Sequence, residues 1–479
     1  MNQPTVDDSS DVKSAASIHL EQPGLKAASP NEHGYQDDSP RNPRNWPHWK
    51  KNVQIVMVAF HSMMSTFTAA GIIPAFDTFA EEYHVSVEAA SYLTSFQILA
   101  LGISPLFWRP ISNVYGRYPV LLFSVLGSMV CNIGGARCTS YGAQMATRVL
   151  TAILISPPSG IGSGVVNDLC EPEKRGQKIG WWTLMIVVGT PGGPFFMGFV
   201  TKHIGFQWIF WIFAIINFCQ LLAYLALGDE TIYNPSHERK VPGRLGKMIP
   251  VRISENNLRL RDFVAPLSLV KYPRVLIPVL AHSIFFCYGN IVLIVEMPIS
   301  SGKKFHFDPQ QIGLQFIAII IGCALGEQVS GPLSDWSLKR FRKSRGYSYP
   351  ADRLWLFYVA FSTFLTGLLV WGFQLQKAKT WNVTPCVGAA IASFGNQIQT
   401  TILTTFAVES KKERATDIGV LMSLGRHVYG FIGPFYFPAM FANLGFGGAA
   451  GLMVGIVAGV CFLPVMAVQF VASRADARD

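Results

Sequence analysis

The sequence predicts an all-α integral membrane protein with about twelve transmembrane helices. Three observations carry that prediction. Only 14% of the 479 residues are charged, half are apolar, and the apolar residues gather into blocks of roughly 20. Soluble domains carry about 25% charged residues to cover their surface, and a chain solvated by lipid needs no such cover.

Charge and cysteine usage exclude other classes. The net charge is +10, but the basic residues lie between apolar blocks and not along one polar face, so no nucleic-acid partner is expected. All eight cysteines, Cys131, Cys138, Cys170, Cys219, Cys287, Cys323, Cys386 and Cys461, fall in or beside apolar segments without a CxxC pair. They read as packing thiols, and no metal or cofactor is expected.

Residues 1–45 are rich in Ser, Pro, Asp and Asn and read as a disordered cytoplasmic tail. No apolar core follows a short basic start, so no signal peptide is expected. The expected spans lie at about 52–76, 89–108, 118–136, 142–167, 180–200 and 207–228. They resume at about 275–297, 312–334, 354–373, 382–406, 416–440 and 447–471. This gives a six-helix bundle over 46–228, a cytoplasmic linker over 229–274, a second bundle over 275–472 and a short tail over 473–479.

Lys/Arg asymmetry sets the orientation. With the N-terminus inside, the inner segments hold 29 Lys/Arg and the outer ones six: Arg137, Lys202, Lys303, Lys304, Lys377 and Lys379. Both termini are therefore expected in the cytoplasm. The linker's Arg239, Lys240, Arg244 and Lys247 suit either a solvated connection or contact with anionic lipid. The halves share a faint repeat, Arg109-Pro110-Ile111-Ser112-Asn113 after span two and Gly331-Pro332-Leu333-Ser334-Asp335 after span eight. Repeats of this kind mark transporters that rock one half against the other around a site at the membrane midplane.

Four stretches resemble the major facilitator superfamily, specifically its fungal twelve-helix drug:proton antiporter-like branch, over roughly residues 40–472. They are Asn42-Pro43-Arg44-Asn45-Trp46 before span one, the loop Trp108 to Pro119, the span-five glycines, and Asp229-Glu230-Thr231-Ile232-Tyr233 after span six. Gly180, Gly189, Gly193, Pro194 and Gly198 follow the spacing G-x8-G-x3-G-P-x2-G-G, with Met197 at its first closing glycine. Such spacing lets helix backbones approach closely in lipid, and Pro194 can kink the helix. The loop keeps Gly116 and Arg117 but has Arg109, Asn113 and Tyr118 where the family usually has Gly, an acid or Asn, and a basic residue. Asn113 can cap a helix end. Asp335, followed by Lys339 and Arg340, is expected to carry the inward-face ion pair of the second half.

Polar residues inside the spans are the candidate site, because charge in hydrocarbon costs several kcal/mol. They are Arg148 and Arg426, Glu296 and Glu327, and His61, His282 and His427. Arg148 begins R-V-L-T-A, similar to the family's span-four R-x-x-Q-G. Glu327 follows the Gly322–Gly326 pair, which lets its helix pack closely; an ion pair with Arg426 is the alternative to proton transfer. His282 and Glu296, 14 residues apart, share a face of an ideal α-helix, as do Asn396, Gln399 and Thr400. These faces suit either substrate contact or interhelical hydrogen bonds. The sequon at Asn382 starts a span and is expected to stay unmodified.

The resemblance implies proton-coupled efflux of a drug or secondary metabolite by a monomer in the plasma membrane. The vacuolar membrane is the alternative location, and nutrient uptake the alternative direction. A membrane-embedded enzyme is not expected, since no His-rich box, HExxH or Gly-x-Ser-x-Gly is present. A non-transporting sensor would usually need a longer cytoplasmic output domain. Glu327 and Arg148 lead as proton-coupling residues, with Glu296 third.

Overall fold

The computed structural model describes residue 39 and residues 42–170, 172–233, 252–253, 258–346 and 349–476. The expected tail over 1–45 falls largely outside the described residues. So do Arg239, Lys240, Arg244 and Lys247 of the linker, and 477–479.

Among the described residues nine helices are long and apolar enough to cross a membrane, and ten when a pair bent by 41° counts as one span. The longest, Lys412–Arg474, is broken at Gly445, whose φ of 67° and ψ of 173° leave the helical region, so it supplies two crossings. Thr384–Ser410 supplies the twelfth; its buried Asn396, Gln397 and Gln399 lower its mean hydropathy. In chain order these are α1 (His48–Glu82), α2 (Val87–Ile103 with Pro105–Tyr115), α3 (Arg117–Gly135), α4 (Tyr141–Leu169), α5 (Pro172–Ile204) and α6 (Gln207–Leu227). They continue as α7 (Pro273–Phe305), α8 (Pro309–Arg345), α9 (Pro350–Lys377), α10 (Thr384–Ser410), α11 (415–444) and α12 (446–476).

Several boundaries differ from the sequence reading. α8 runs to Arg345, eleven residues past the expected end at 334, because its Lys- and Arg-rich continuation is still helical in water. It starts on a reciprocal cap, Asp308 accepting the N–H of Gln311 while Gln311 accepts that of Asp308, and stops at Gly346 in the left-handed region. In α7, Cys287–Glu296 is π-helical. The wider turn takes the register away from 3.6 residues, so the α-helical argument that aligned His282 with Glu296 does not apply across it.

α3 shows what solvent the fold expects. Ser124, Ser128 and Asn132 point inward and are buried, while Phe123, Leu126 and Val130 face outward. That arrangement would be inverted in water. Here the inward groups find partners, Asn132 Nδ2 donating to the Ser128 carbonyl and Asn217 Nδ2 to Ser128 Oγ. α1 packs on α5 and α3 on α4 and α6, while α10 packs on α8 and α9, and α7 on α11. Two seams join the first six helices to the last six: α5 against α8, and α2 against α11.

Candidate functional site: a central cavity closed at one end

Backbone groups freed inside the membrane come first, because lipid offers them no hydrogen bond. The first stretch of α1 ends at Ala70, leaving the Thr68 and Ala69 carbonyls without helical partners. Arg148 of α4 takes both, Nη1 donating to Thr68 O and Nη2 to Ala69 O at 2.8 Å each. Hydrogen bonds to a charged group contribute about 1.5–3 kcal/mol each, enough to offset the roughly 2.5–3.5 kcal/mol of placing an Arg at mid-membrane. Arg148 thus ties α4 to the α1 break. α4 has its own freed carbonyls, since Pro157 and Pro158 cannot donate to Ile153 and Leu154. Trp108 Nε1 donates to Ile153 O at 2.7 Å, and Ser124 Oγ donates to Leu154 O. Ser124 Oγ also shares a hydrogen bond with His61 Nε2, whose Nδ1 meets Tyr224 OH at 3.3 Å. His61 is a satisfied interior residue of the first six helices.

The cavity lies between the two sets of helices. Thr66, Ala70, Thr94, Ile98 and Thr190 line it from α1, α2 and α5, and Phe286, Ile291, Val295 and His427 from α7 and α11. Its volume is about 40 Å³, room for a water or two but not for an organic solute, so the helices must part to load one. Beside it, His282 Nδ1 meets Gln399 Nε2 and Thr400 Oγ1 at 3.4 Å, and Gln399 Nε2 donates to Asn396 Oδ1. The residues that share a face of α10 therefore join His282 of α7. Arg426 of α11 lies over the Phe286 ring at 5.4 Å. A larger apolar groove of about 430 Å³ lies between α2 and α4, walled by Phe96, Ile103, Phe107 and Ile153, all partly or largely exposed. It presents hydrocarbon to hydrocarbon, and the one indole on its wall, Trp108, has its N–H committed to Ile153 O.

The two intramembrane acids are placed differently from one another. Glu327 is half-buried and accepts a hydrogen bond from Gln397 Nε2 of α10. Gly322 and Gly326 bring the two helices together there, a Cβ on Gly322 falling 2.2 Å from Ala390 O and one on Gly326 2.7 Å from Gln397 Cβ. The ion pair with Arg426 does not form. Glu296 is 3% exposed, its Oε1 has no hydrogen-bond partner, and the charges acting on it are Lys303 and Glu88.

The α5–α8 seam is tight at one end only. A Cβ on Gly198 would sit 2.5 Å from Pro309 O and 3.0 Å from Gly313 Cα, so only glycine allows that approach. Lys202 pairs with Asp308 at 2.7 Å, and Lys303 of α7 with Glu88 of α2 at 2.8 Å. At the other end of the same two helices, a Cβ on Gly180 or Gly331 would meet nothing within 4 Å among the described residues. Gly189 and Gly193 serve a different contact, against α1: a Cβ on Gly193 would lie 2.4 Å from Phe67 O. The α2–α11 seam holds through Tyr92 on Phe435, ring centroids 4.5 Å apart, and through an ion pair of Arg109 with Asp417.

Two bundle-like sets of six helices meeting along two seams suggest a known architecture, and sequence comparison decides it. The sequence model of the Major Facilitator Superfamily matches residues 57–434. The chain belongs to that superfamily. It is a multi-pass membrane protein, and its relatives carry transporter names. An uncharacterized transporter of Schizosaccharomyces pombe is 26% identical over 88% of both chains. The efflux pump radE of Floropilus chiversii is 24% identical over 89% of this chain and 81% of its own. The probable efflux pump mfs2 of Aspergillus flavus is 26% identical over 81% and 94% respectively. Among solved structures, the human organic anion transporter MFSD10 shares the fold with a TM-score of 0.58 at 17% identity, over 88% of this chain and 99% of that one.

The superfamily's loop motifs take shape at the end of the seam away from Gly198. Gly116, with φ of 95°, turns α2 into α3, and a Cβ there would lie 2.4 Å from Glu230 Oε2. Asn113 does not cap. The carboxylate of Glu230 accepts the backbone N–H groups of Arg117 and Tyr118 instead, at 3.1 and 3.2 Å, being longer-reaching and charged at a helix N-terminus. Arg117 pairs with Asp168 of α4 at 2.7 Å. In the last six helices Asp335 pairs with Arg353, not with Lys339 or Arg340, which lie on its own helix within two turns. Arg353 also pairs with Glu409 at 3.0 Å. Arg117–Asp168 and Arg353–Glu409 occupy matching places in the two halves; following the repeat past its five residues to the next helix starts would have found them. Asn382 lies in the exposed turn before α10, its Oδ1 accepting the Thr384 N–H.

Proposed function

We propose that this chain exports a small organic solute by alternating access, as a monomer in the plasma membrane, in exchange for protons. One observation supports the reading most directly: a cavity lined by both sets of helices, with its seam tight around Gly198 and open around Gly180 and Gly331. The Lys/Arg asymmetry puts the open end in the cytoplasm. Loading from inside then requires the Arg109–Asp417 pair, which ties the other seam at that same end, to part, and the efflux pumps among its relatives fit that direction. Geometry reorders the proton candidates. Arg148 is committed to carbonyls and Glu327 to Gln397, whereas Glu296 is buried with an unpartnered oxygen under the Lys303–Glu88 pair. On this reading Glu296 carries the proton, and neutralising it changes the field on the outer pair.

Proteoliposomes holding the purified protein and a trapped pH dye test this reading. Under an imposed pH gradient, a panel of small organic solutes should include members whose movement drives counterflow of protons. Folded protein that moves no solute and no proton overturns it.

A further inference from the structure

We propose that the transported solute is an organic anion whose acidic group is held by Arg426; this rests on the transport reading above. Arg426 lies eleven residues into α11, about 16 Å from its start and so near the middle of a hydrocarbon core of about 30 Å. Among the described residues it enters no ion pair, and its Nε has no hydrogen-bond partner. That contrasts with Arg148, whose guanidinium is spent on two carbonyls. Neither interior acid neutralises Arg426: Glu327 is taken by Gln397, and Glu296 responds to Lys303 and Glu88.

Its described surroundings are neutral polar or apolar groups. His282 and His427 both feel its charge, and no acid acts on either of them. Phe286, which the guanidinium overlies, and His427 form part of the cavity wall. Arg426 is half-buried directly behind that wall, so parting the helices to load a solute brings the guanidinium within its reach. The complement of this site is one negative group for Arg426 and an apolar or aromatic body for Phe286, Ile291 and Val295. An organic cation would instead meet an uncompensated like charge at mid-membrane.

A matched probe series tests the assignment on the purified full-length protein. Naphthalene-2-sulfonate is permanently anionic, naphthalene-2-sulfonamide is its neutral counterpart, and 2-naphthylmethylammonium is the cation of similar body. Calorimetry should show the sulfonate binding at least about tenfold tighter than the sulfonamide, the return from one charge-assisted contact. Arg426→Gln should erase that preference with sulfonamide affinity unchanged, and Arg426→Lys should retain part of it. Equal or tighter binding of the sulfonamide or the ammonium by the wild type overturns the proposal, and that comparison stands even where Arg426→Gln fails to fold. So does a folded Arg426→Gln that keeps the preference. Flux separates the two readings. Vesicles that bind the sulfonate yet move none of the three overturn transport and leave the anion site standing. Vesicles that move the ammonium or the sulfonamide but not the sulfonate leave transport standing and overturn the anion.

Discussion

Buried ionisable side chains in this protein divide by what holds them. Arg148 has two carbonyls, and losing them has a defined effect. Arg148→Met should lower thermal stability in detergent by up to about 3 kcal/mol, two charged hydrogen bonds less the burial cost of the arginine, with Arg148→Lys in between because an ammonium cannot fork across Thr68 and Ala69. A melting temperature unchanged in Arg148→Met removes that role. Glu296 has no such partner, so Glu296→Gln should fold, exchange solute, and lose accumulation driven by a pH gradient. Glu327→Gln should keep it, since a glutamine can still accept from Gln397. The reverse pattern in proteoliposomes would return the coupling role to Glu327. The sequence shows that these residues are interior, because hydropathy is local. It does not show their partners, because Gln397 lies 70 residues from Glu327 and Thr68 lies 80 from Arg148.

The glycines of α5 belong to two contacts with different consequences. Gly193 touches the α1 backbone, within the first six helices, and Gly198 touches α8, across a seam. Gly193→Leu should lose transport and much of the folded protein, since the Phe67 backbone cannot yield. Gly198→Leu should fold but fail to close its end, leaving a cysteine placed near the cavity open to external label. Equal stability losses for the two would show that the contacts are of one kind. Spacing alone placed both glycines in one motif, and it also included Gly180, where an added Cβ would meet none of the described residues within 4 Å. Regular spacing identifies a helix face; it does not say which neighbour that face meets. The same limit explains α7, where the π-helical turn lies outside any 3.6-residue pattern.

For the whole molecule, orientation is the first expectation to check. Thr380→Cys should react with a membrane-impermeant maleimide from outside and Gly346→Cys only after permeabilisation; the opposite pattern inverts every statement of direction. The seam end around Gly198 also carries a pH dependence. Burial pushes the Asp308 carboxyl up, but hydrogen bonds from Lys202 and the Gln311 N–H outweigh it and hold the group below its usual range. The closed end therefore gains from charged Asp308 at any pH above the usual carboxylate value of about 4, and loses that gain as external pH falls through the lowered one. Accessibility from outside should rise only in that acid window, and Asp308→Asn should show it at neutral pH. The spans were legible because block length is written residue by residue. The seams were not, since they depend on which surfaces fit.

The carbonyls freed at Pro157 and Pro158 bear on the order in which the chain enters the bilayer. Their donors, Trp108 and Ser124, lie upstream on α2 and α3 and are in place before α4 arrives. The Thr68 carbonyl has the opposite history, waiting for an arginine that comes 80 residues later, whereas the Ala69 carbonyl also accepts from Thr94 Oγ1 of α2. α4 both receives and supplies the missing bonds, so the chain up to Leu169 is the first nascent length in which all four carbonyls are satisfied. Nascent chains stopped after α3 should be the ones that quality control degrades, and those stopped after α4 should persist.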